Sequence, residues 1–287
     1  MRLKLVPQDT KLDFFSKARV SLGISAVLLF LSLASFLFQS LNFGIDFLGG
    51  TTIRTQSTQT VDVGAYRFAL TALEFGDISI SEVFDPNFDE DQNVAMIRIQ
   101  QQNKEEKSVS DVTRGALSAL QKIDLDISFV SVENVGPKVS GELVQTAILA
   151  VVLAIGAVLV YIWLRFEWQF AQGAVAALIH DVLLTIGVFS VLQIKFDLAI
   201  IAALLTIVGY SLNDTVVVFD RVRENLRKYK KRPLKEVLNL SINETLNRTV
   251  TTSLTTLLAL IALFVLGGDV IRGFVFAMIW GVIVGTY

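Results

Sequence analysis

The segment Phe196–Phe219 reads FDLAIIAALLTIVGYSLNDTVVVF, an apolar run with Asp197 at its edge and a second carboxylate, Asp214, set well inside it. A helix that crosses a bilayer needs about 20 mainly apolar residues, and this run supplies them. Asp214 comes six residues before Asp220, roughly 9 Å inside one end of the helix at 1.5 Å rise per residue. Ionisable groups in hydrocarbon cost at least about 2.5–3.5 kcal/mol each on insertion scales, so an acid kept there points to function.

Comparable runs flank it at Val20–Phe38, Ala147–Leu164, Phe170–Leu192, Thr249–Leu266 and Val270–Tyr287. The pattern predicts six spans in a 287-residue chain that is 53% hydrophobic, more than a soluble core requires. Short loops rich in Lys and Arg stay in the cytoplasm. Arg2, Lys4, Lys11, Lys17 and Arg19 put the N-terminus there, and Arg221, Arg223, Arg227, Lys228, Lys230, Lys231, Arg232 and Lys235 do the same for a basic loop at about 220–247. Gln193–Lys195 and Gly267–Asp269 carry one Lys and no Arg, as outside loops should. The first run is longer than a usual signal core and Gln39-Ser40-Leu41-Asn42 offers no small-x-small cleavage pattern, so it reads as an anchor.

The expected organisation is a cytoplasmic N-terminus over 1–19, a first span at 20–38, an outside domain at 39–141 and the remaining spans within 142–287. In the outside domain the hydrophobic period alternates and then turns helical. Gly50–Gln56, Ile78–Phe84, Val94–Gln100 and Ile127–Val132 read as strands, Val61–Leu73 and Val109–Ile123 as helices. The order β-α-β-β-α-β predicts a ferredoxin-like α+β fold, with Asp85-Pro86-Asn87 and Asp89–Asn93 as turn chemistry. Its acids, such as Asp89, Glu90 and Asp91, sit in loops and read as solvated, so the domain is expected to bind or to act as a lever. The predicted fold class is therefore a polytopic α-helical membrane protein with six transmembrane helices and one such domain.

With no cysteine and one histidine, disulfides, thiolate metal sites and iron–sulfur clusters are excluded, and a zinc site has too few ligands. No GxxxxGK[ST] or GxGxxG loop occurs, so no nucleotide cofactor is expected. The basic stretch reads as topology and contact with membrane lipid, not nucleic-acid binding.

Thr206, Gly209, Tyr210, Asn213 and Asp214 fall close to one helical stripe, on which Gly209 would let another helix approach. Arg248 opens the fifth span, and Thr252, Thr255 and Thr256 follow on the same side. The economical arrangement sets Asp214 against Arg248, with Asn213 and the threonines completing the hydrogen bonds. Such a pair either carries a proton as helices shift or locks two helices permanently, and the chemistry alone leaves both open. His180 and Asp181 sit midway along the third span. They form a proton relay or a structural pair, and point about 100° apart on a helix, toward different partners. Tyr161, Trp163 and Trp168 read as interfacial anchors.

Five strings, in order, resemble the SecF family: Phe43-Gly44-Ile45-Asp46-Phe47-Leu48-Gly49-Gly50, Val135-Gly136-Pro137-Lys138-Val139-Ser140-Gly141-Glu142-Leu143, His180-Asp181, Gly209-Tyr210-Ser211-Leu212-Asn213-Asp214-Thr215-Val216-Val217-Val218-Phe219-Asp220-Arg221, and Asn243-Glu244-Thr245-Leu246-Asn247-Arg248-Thr249. The resemblance implies a subunit of a bacterial inner-membrane export complex in the resistance-nodulation-division superfamily, not an enzyme. It implies SecD, the SecYEG channel, YajC and a translocating preprotein as partners, and a proton or sodium gradient as the energy source. On that resemblance Asp214 and Arg248 match the intramembrane pair linked to ion coupling. Family members continue past Gly285-Thr286-Tyr287, so further sequence is expected there. A small-molecule exporter of the same superfamily and a scaffold that moves no ions are the rival readings.

Overall fold

The computed structural model describes residues 10–73, 75, 77–83, 92–100 and 109–287. Arg2, Lys4, Phe84, the Asp85-Pro86-Asn87 turn and the acids Asp89, Glu90 and Asp91 lie outside the described residues. In chain order the elements are α1 (Ala18–Gln39), β1 (Asn42–Phe43), α2 (Ile45–Leu48), β2 (Gly50–Ser57), α3 (Val63–Thr71), β3 (Asp77–Val83), β4 (Asn93–Gln100), α4 (Val109–Leu120), β5 (Ser128–Val135), α5 (Pro137–Arg165), α6 (Trp168–Leu192), β6 (Lys195–Phe196), α7 (Leu198–Lys228), α8 (Leu234–Leu266) and α9 (Gly268–Thr286).

Four of the strands make one antiparallel sheet in the order β3-β4-β2-β5. Alternation along the strands gives it two unlike faces. Ile53, Ile80, Ala95, Ile97 and Ile99 point toward α3 and α4 and close a core with Tyr66, Leu70, Val112, Ala116 and Leu120. Full burial of side chains such as Ile53, Leu70 and Leu120 contributes about 1.5–3 kcal/mol each. The other face carries Thr52, Arg54, Ser81, Met96, Arg98, Ser131 and Glu133, and it roofs a cavity of about 500 Å³ over the ends of α7 and α9.

The chain enters that sheet through Gly49 and Gly50, at φ +77° and +143°. Gly49 ends α2, while Gly50 already pairs with Gln100 on one side and Val135 on the other. A Cβ on Gly50 would fall inside the radius of the Ile99 carbonyl oxygen. Gly50→Ala is therefore expected to cost on the order of 2–3 kcal/mol, seen as a lower unfolding temperature of the full chain in detergent.

Among the described residues, five helices are long and apolar enough to cross a membrane: α1, α5 from Val139, α6, α7 and α8. The last apolar run forms α9, whose stretch Val270–Thr286 is shorter. Ala147–Leu164 proves to be the distal part of α5, which starts at Pro137, where a proline's missing N–H costs a helix nothing.

The predicted basic loop at about 220–247 is mostly helix. α7 continues to Lys228 and α8 starts at Leu234, leaving only residues 229–233 between them. At 31 residues α7 is about 46 Å long, well beyond the ~30 Å hydrocarbon thickness. Arg221 ties the two extensions together, donating to Glu224 at 2.6 Å and Glu244 at 2.7 Å, and Asn225 donates to Ser241 and Glu244. Along α8 the N-terminal segment is held by side-chain amides. Asn243 receives the Leu12 N–H and donates to the Leu12 carbonyl, both at 2.9 Å, and Asn239 receives Phe14 N–H at 3.0 Å.

Candidate functional site

α7 begins where the α/β domain meets the bundle. Asn42-Phe43 pairs in parallel with Lys195-Phe196, and Gly44 N–H donates to the Phe196 carbonyl at 2.8 Å. The first amides of α7 lack helical acceptors. Two carboxylates fill that need: Asp197 Oδ1 receives Ile200 N–H at 3.2 Å, and Asp46 Oδ2, from the segment that leads into β2, receives Leu198 N–H at 3.1 Å. Asp46 thus clasps the helix that carries Asp214. Asp46→Ala is expected to remove about 1 kcal/mol of capping and to speed hydrogen exchange at Leu198, while amides near Asp214 keep their protection.

Further down α7, polar side chains form a layer across four helices. Ser211 donates to Asp181 Oδ2 on α6 at 2.7 Å, with Gly285 of α9 against both. From the next position Tyr210 donates to Ser253 of α8 at 3.1 Å, and Ser253 lies 2.8 Å from Thr286 Oγ1 of α9. Asp181 Oδ1 is 3.0 Å from His180 Nδ1, so the adjacent pair meets instead of serving different partners as predicted. The side-chain torsions span the 100° between their Cα directions. His180 Nε2 is buried with no hydrogen-bond partner among the described residues.

One turn beyond Ser211 and Tyr210 stands Asp214. It is 7% exposed, and neither carboxylate oxygen has a hydrogen-bond partner among the described residues. Arg248 influences it through space without reaching ion-pair distance, and is itself exposed. The other expected supports are elsewhere. Asn213 is exposed. Thr252 donates to the Arg248 carbonyl, Thr255 to Thr251 and Thr252, and Thr256 to Thr252, all along their own helix. Nothing among the described residues approaches Gly209 within 4 Å of where a Cβ would sit, so none of the described helices uses the gap it leaves. Tyr161, Trp163 and Trp168 are exposed around the α5–α6 turn. Among the described residues no group of three or more His, Asp or Glu could hold a metal ion.

Sequence reasoning missed Ser211, Ser253 and Thr286, whose hydroxyls make the layer. Single hydroxyls in apolar helices are common, and only their placement at one level across α7, α8 and α9 marks them. It also missed Asp46 as the clasp on α7, although that acid stands in one of the quoted strings.

A bundle of apolar helices with a buried carboxylate at one level and an α/β domain mounted on one end defines a multi-pass membrane protein of the transport class. Residues 34–61 match the SecD/SecF GG motif, and residues 116–287 match the family described as protein export membrane protein SecD/SecF, C-terminal. Protein translocase subunit SecF of Cereibacter sphaeroides is 62% identical over 286 residues, covering 100% of this chain and 88% of its own. That of Magnetococcus marinus is 45% identical, covering 97% and 88%. The crystal structure of SecDF from Thermus thermophilus, titled a translocon-associated membrane protein, superposes with a TM-score of 0.84 at 35% identity, and SecDF in a super-membrane-facing form with 0.71 at 36%. These cover 99% and 97% of this chain, which spans only 38% and 37% of the SecDF chains. The chain belongs to the SecD/SecF family of protein-export membrane proteins, in its SecF branch, and its role lies in Sec protein export.

Proposed function

We propose that this subunit lets ions pass at Asp214 and uses the resulting shift of α7 to swing the outer domain, drawing an exported polypeptide forward. The observation that carries the reading is a carboxylate 7% exposed in a membrane helix with both oxygens unpartnered among the described residues. A charge buried so costs several kcal/mol, which a proton or a bound cation relieves. A permanent lock would hold Arg248 in contact, and the gap between the two residues speaks against it. The Asp46 clasp and the β1–β6 pair supply the mechanical link from α7 to the domain.

The partner set follows the same logic. α7 turns Ala202, Thr206, Gly209 and Asn213 outward in one stripe, and α8 turns out Arg248, Thr251 and Thr255. Polar groups in hydrocarbon call for a protein cover. We assign that cover to SecD, with SecYEG, YajC and the preprotein beyond it. α9 serves as the sixth span, and the domain at 39–141 is ferredoxin-like, which its strand order supports. It stands outside the inner membrane while residues 1–19 lie in the cytoplasm, before the first span at 20–38 and the remaining spans within 142–287. The test is export into membrane vesicles under an imposed proton or sodium gradient, with and without this subunit. The subunit should add export only while one gradient stands. An increment that survives collapse of both would overturn ion coupling and leave a scaffold.

A further inference from the structure

Between α1 and α5, in the half of the bundle nearest the domain, runs an apolar groove of about 780 Å³. Phe30, Leu33 and Phe36 form one wall, Ile148 and Val152 the other, and Ile186 lies beneath. At its domain end the groove reaches Phe43 and Leu48. These two residues also border a separate cavity of about 100 Å³.

The small cavity has two charged side chains in its lining, and both are cations: Arg98 from the membrane-side face of β4 and Lys195 from β6. Ser79 and Gln100 add neutral hydrogen-bonding groups. Arg98 and Lys195 are half-buried, and no carboxylate among the described residues comes within ion-pair distance of either. Arg98 and Lys195 also line the larger neighbouring cavity, together with the acids that act on them through space, Asp46, Glu133 and Asp197, and two of those acids already accept amides of α7. Burial and the Arg98 charge beside it bring the Lys195 amine down to about 8.

Two cations with no counter-ion in contact among the described residues, in a cavity that shares Phe43 and Leu48 with a hydrocarbon-lined groove, complement a molecule with an anionic head and an apolar tail. We propose that an anionic glycerophospholipid occupies this place, its phosphate between Arg98 and Lys195 and one acyl chain in the groove. The lipid would fill the joint between the sheet and the bundle, where the domain and α7 meet.

The test uses the full chain, purified with its membrane partner, stripped of lipid and offered phosphatidylglycerol, phosphatidylcholine with the same acyl chains, or inorganic phosphate. Native mass spectrometry should show one phosphatidylglycerol retained, bound at least about tenfold more weakly after Arg98→Gln with Lys195→Gln. Val152→Trp, which fills the groove and leaves both cations in place, should expel the lipid as well. Bound lipid should also slow amine acylation of Lys195 at pH 8, read by peptide mapping. Equal retention by the double variant or by Val152→Trp overturns the proposal. Phosphatidylcholine binding as well as phosphatidylglycerol removes its electrostatic basis. Protection of Lys195 by inorganic phosphate alone, to the same degree, makes the site one for free phosphate and overturns the lipid assignment.

Discussion

Asp214→Asn is expected to abolish the part of export that depends on an ion gradient and to leave the complex assembled. The side chains are nearly equal in size, and among the described residues the native carboxylate makes no hydrogen bond that the amide would lose. Packing around α7 should therefore persist, and co-purification with the partner subunit should be unchanged. What disappears is the ability to exchange a proton or hold a cation. Moving one charge through 100 mV is worth about 2.3 kcal/mol, about fiftyfold in a two-state equilibrium, and the variant forfeits that bias. The measurement is preprotein translocation in vesicles with the gradient imposed and then collapsed. Wild type should lose its increment on collapse, and Asp214→Asn should show the low rate in both conditions. Asp214→Glu keeps the acid, and should recover part of the response. If Asp214→Asn exports at the wild-type rate and still responds to the gradient, the carboxylate is not the coupling group.

The α/β domain was legible because its period of two changes to a helical period and back within short segments. Each of its six predicted elements lies within three residues of its observed limits, apart from Phe84, which is outside the described residues. The extensions of α7 and α8 were hidden for a physical reason. Hydropathy marks the solvent a helix sits in, and Arg221–Lys235 reads as loop because it is charged, although backbone hydrogen bonding is indifferent to that charge. The β1–β6 pair joins only two residues per strand, one strand following α1 and the other following α6, and no local signal encodes so short a long-range contact. At the candidate site the carboxylate was readable from its cost in hydrocarbon, but its surroundings were not. Which way Arg248, Asn213 and Gly209 face depends on the rotation of α7 against α8, and the sequence spacing within one helix carries no information about the other. The hydroxyl layer through Ser211, Ser253 and Thr286 depends on the same rotations.

Gly187→Leu is expected to pry α1 off the bundle. α1 presents no buried residue, and it packs chiefly along α6. Its contact there is made by small side chains. Ser35 and Ser190 hydroxyls meet at 2.9 Å, and a Cβ on Gly187 would stand 2.8 Å from the Ser32 Cα, closer still to the Ser32 side chain. The obstacle is backbone, so rotamer changes cannot clear it, and a leucine needs several further ångströms. Overpacking a close-fitted interface costs about 1–3 kcal/mol, and in lipid no hydrophobic term between helices offsets the loss, because the tails solvate α1 as well as α6 does. The chain has no cysteine, so Ser35→Cys with Ser190→Cys gives a clean reporter. In the parent that pair should oxidise to a disulfide, and with Gly187→Leu added the crosslink should fall by about tenfold or more. Gly187→Ala should give an intermediate yield, since one methyl asks for a smaller displacement. Undiminished crosslinking in Gly187→Leu would mean that α1 is held by other contacts, such as the 2.7 Å link between Ser21 and Tyr287 at its opposite end.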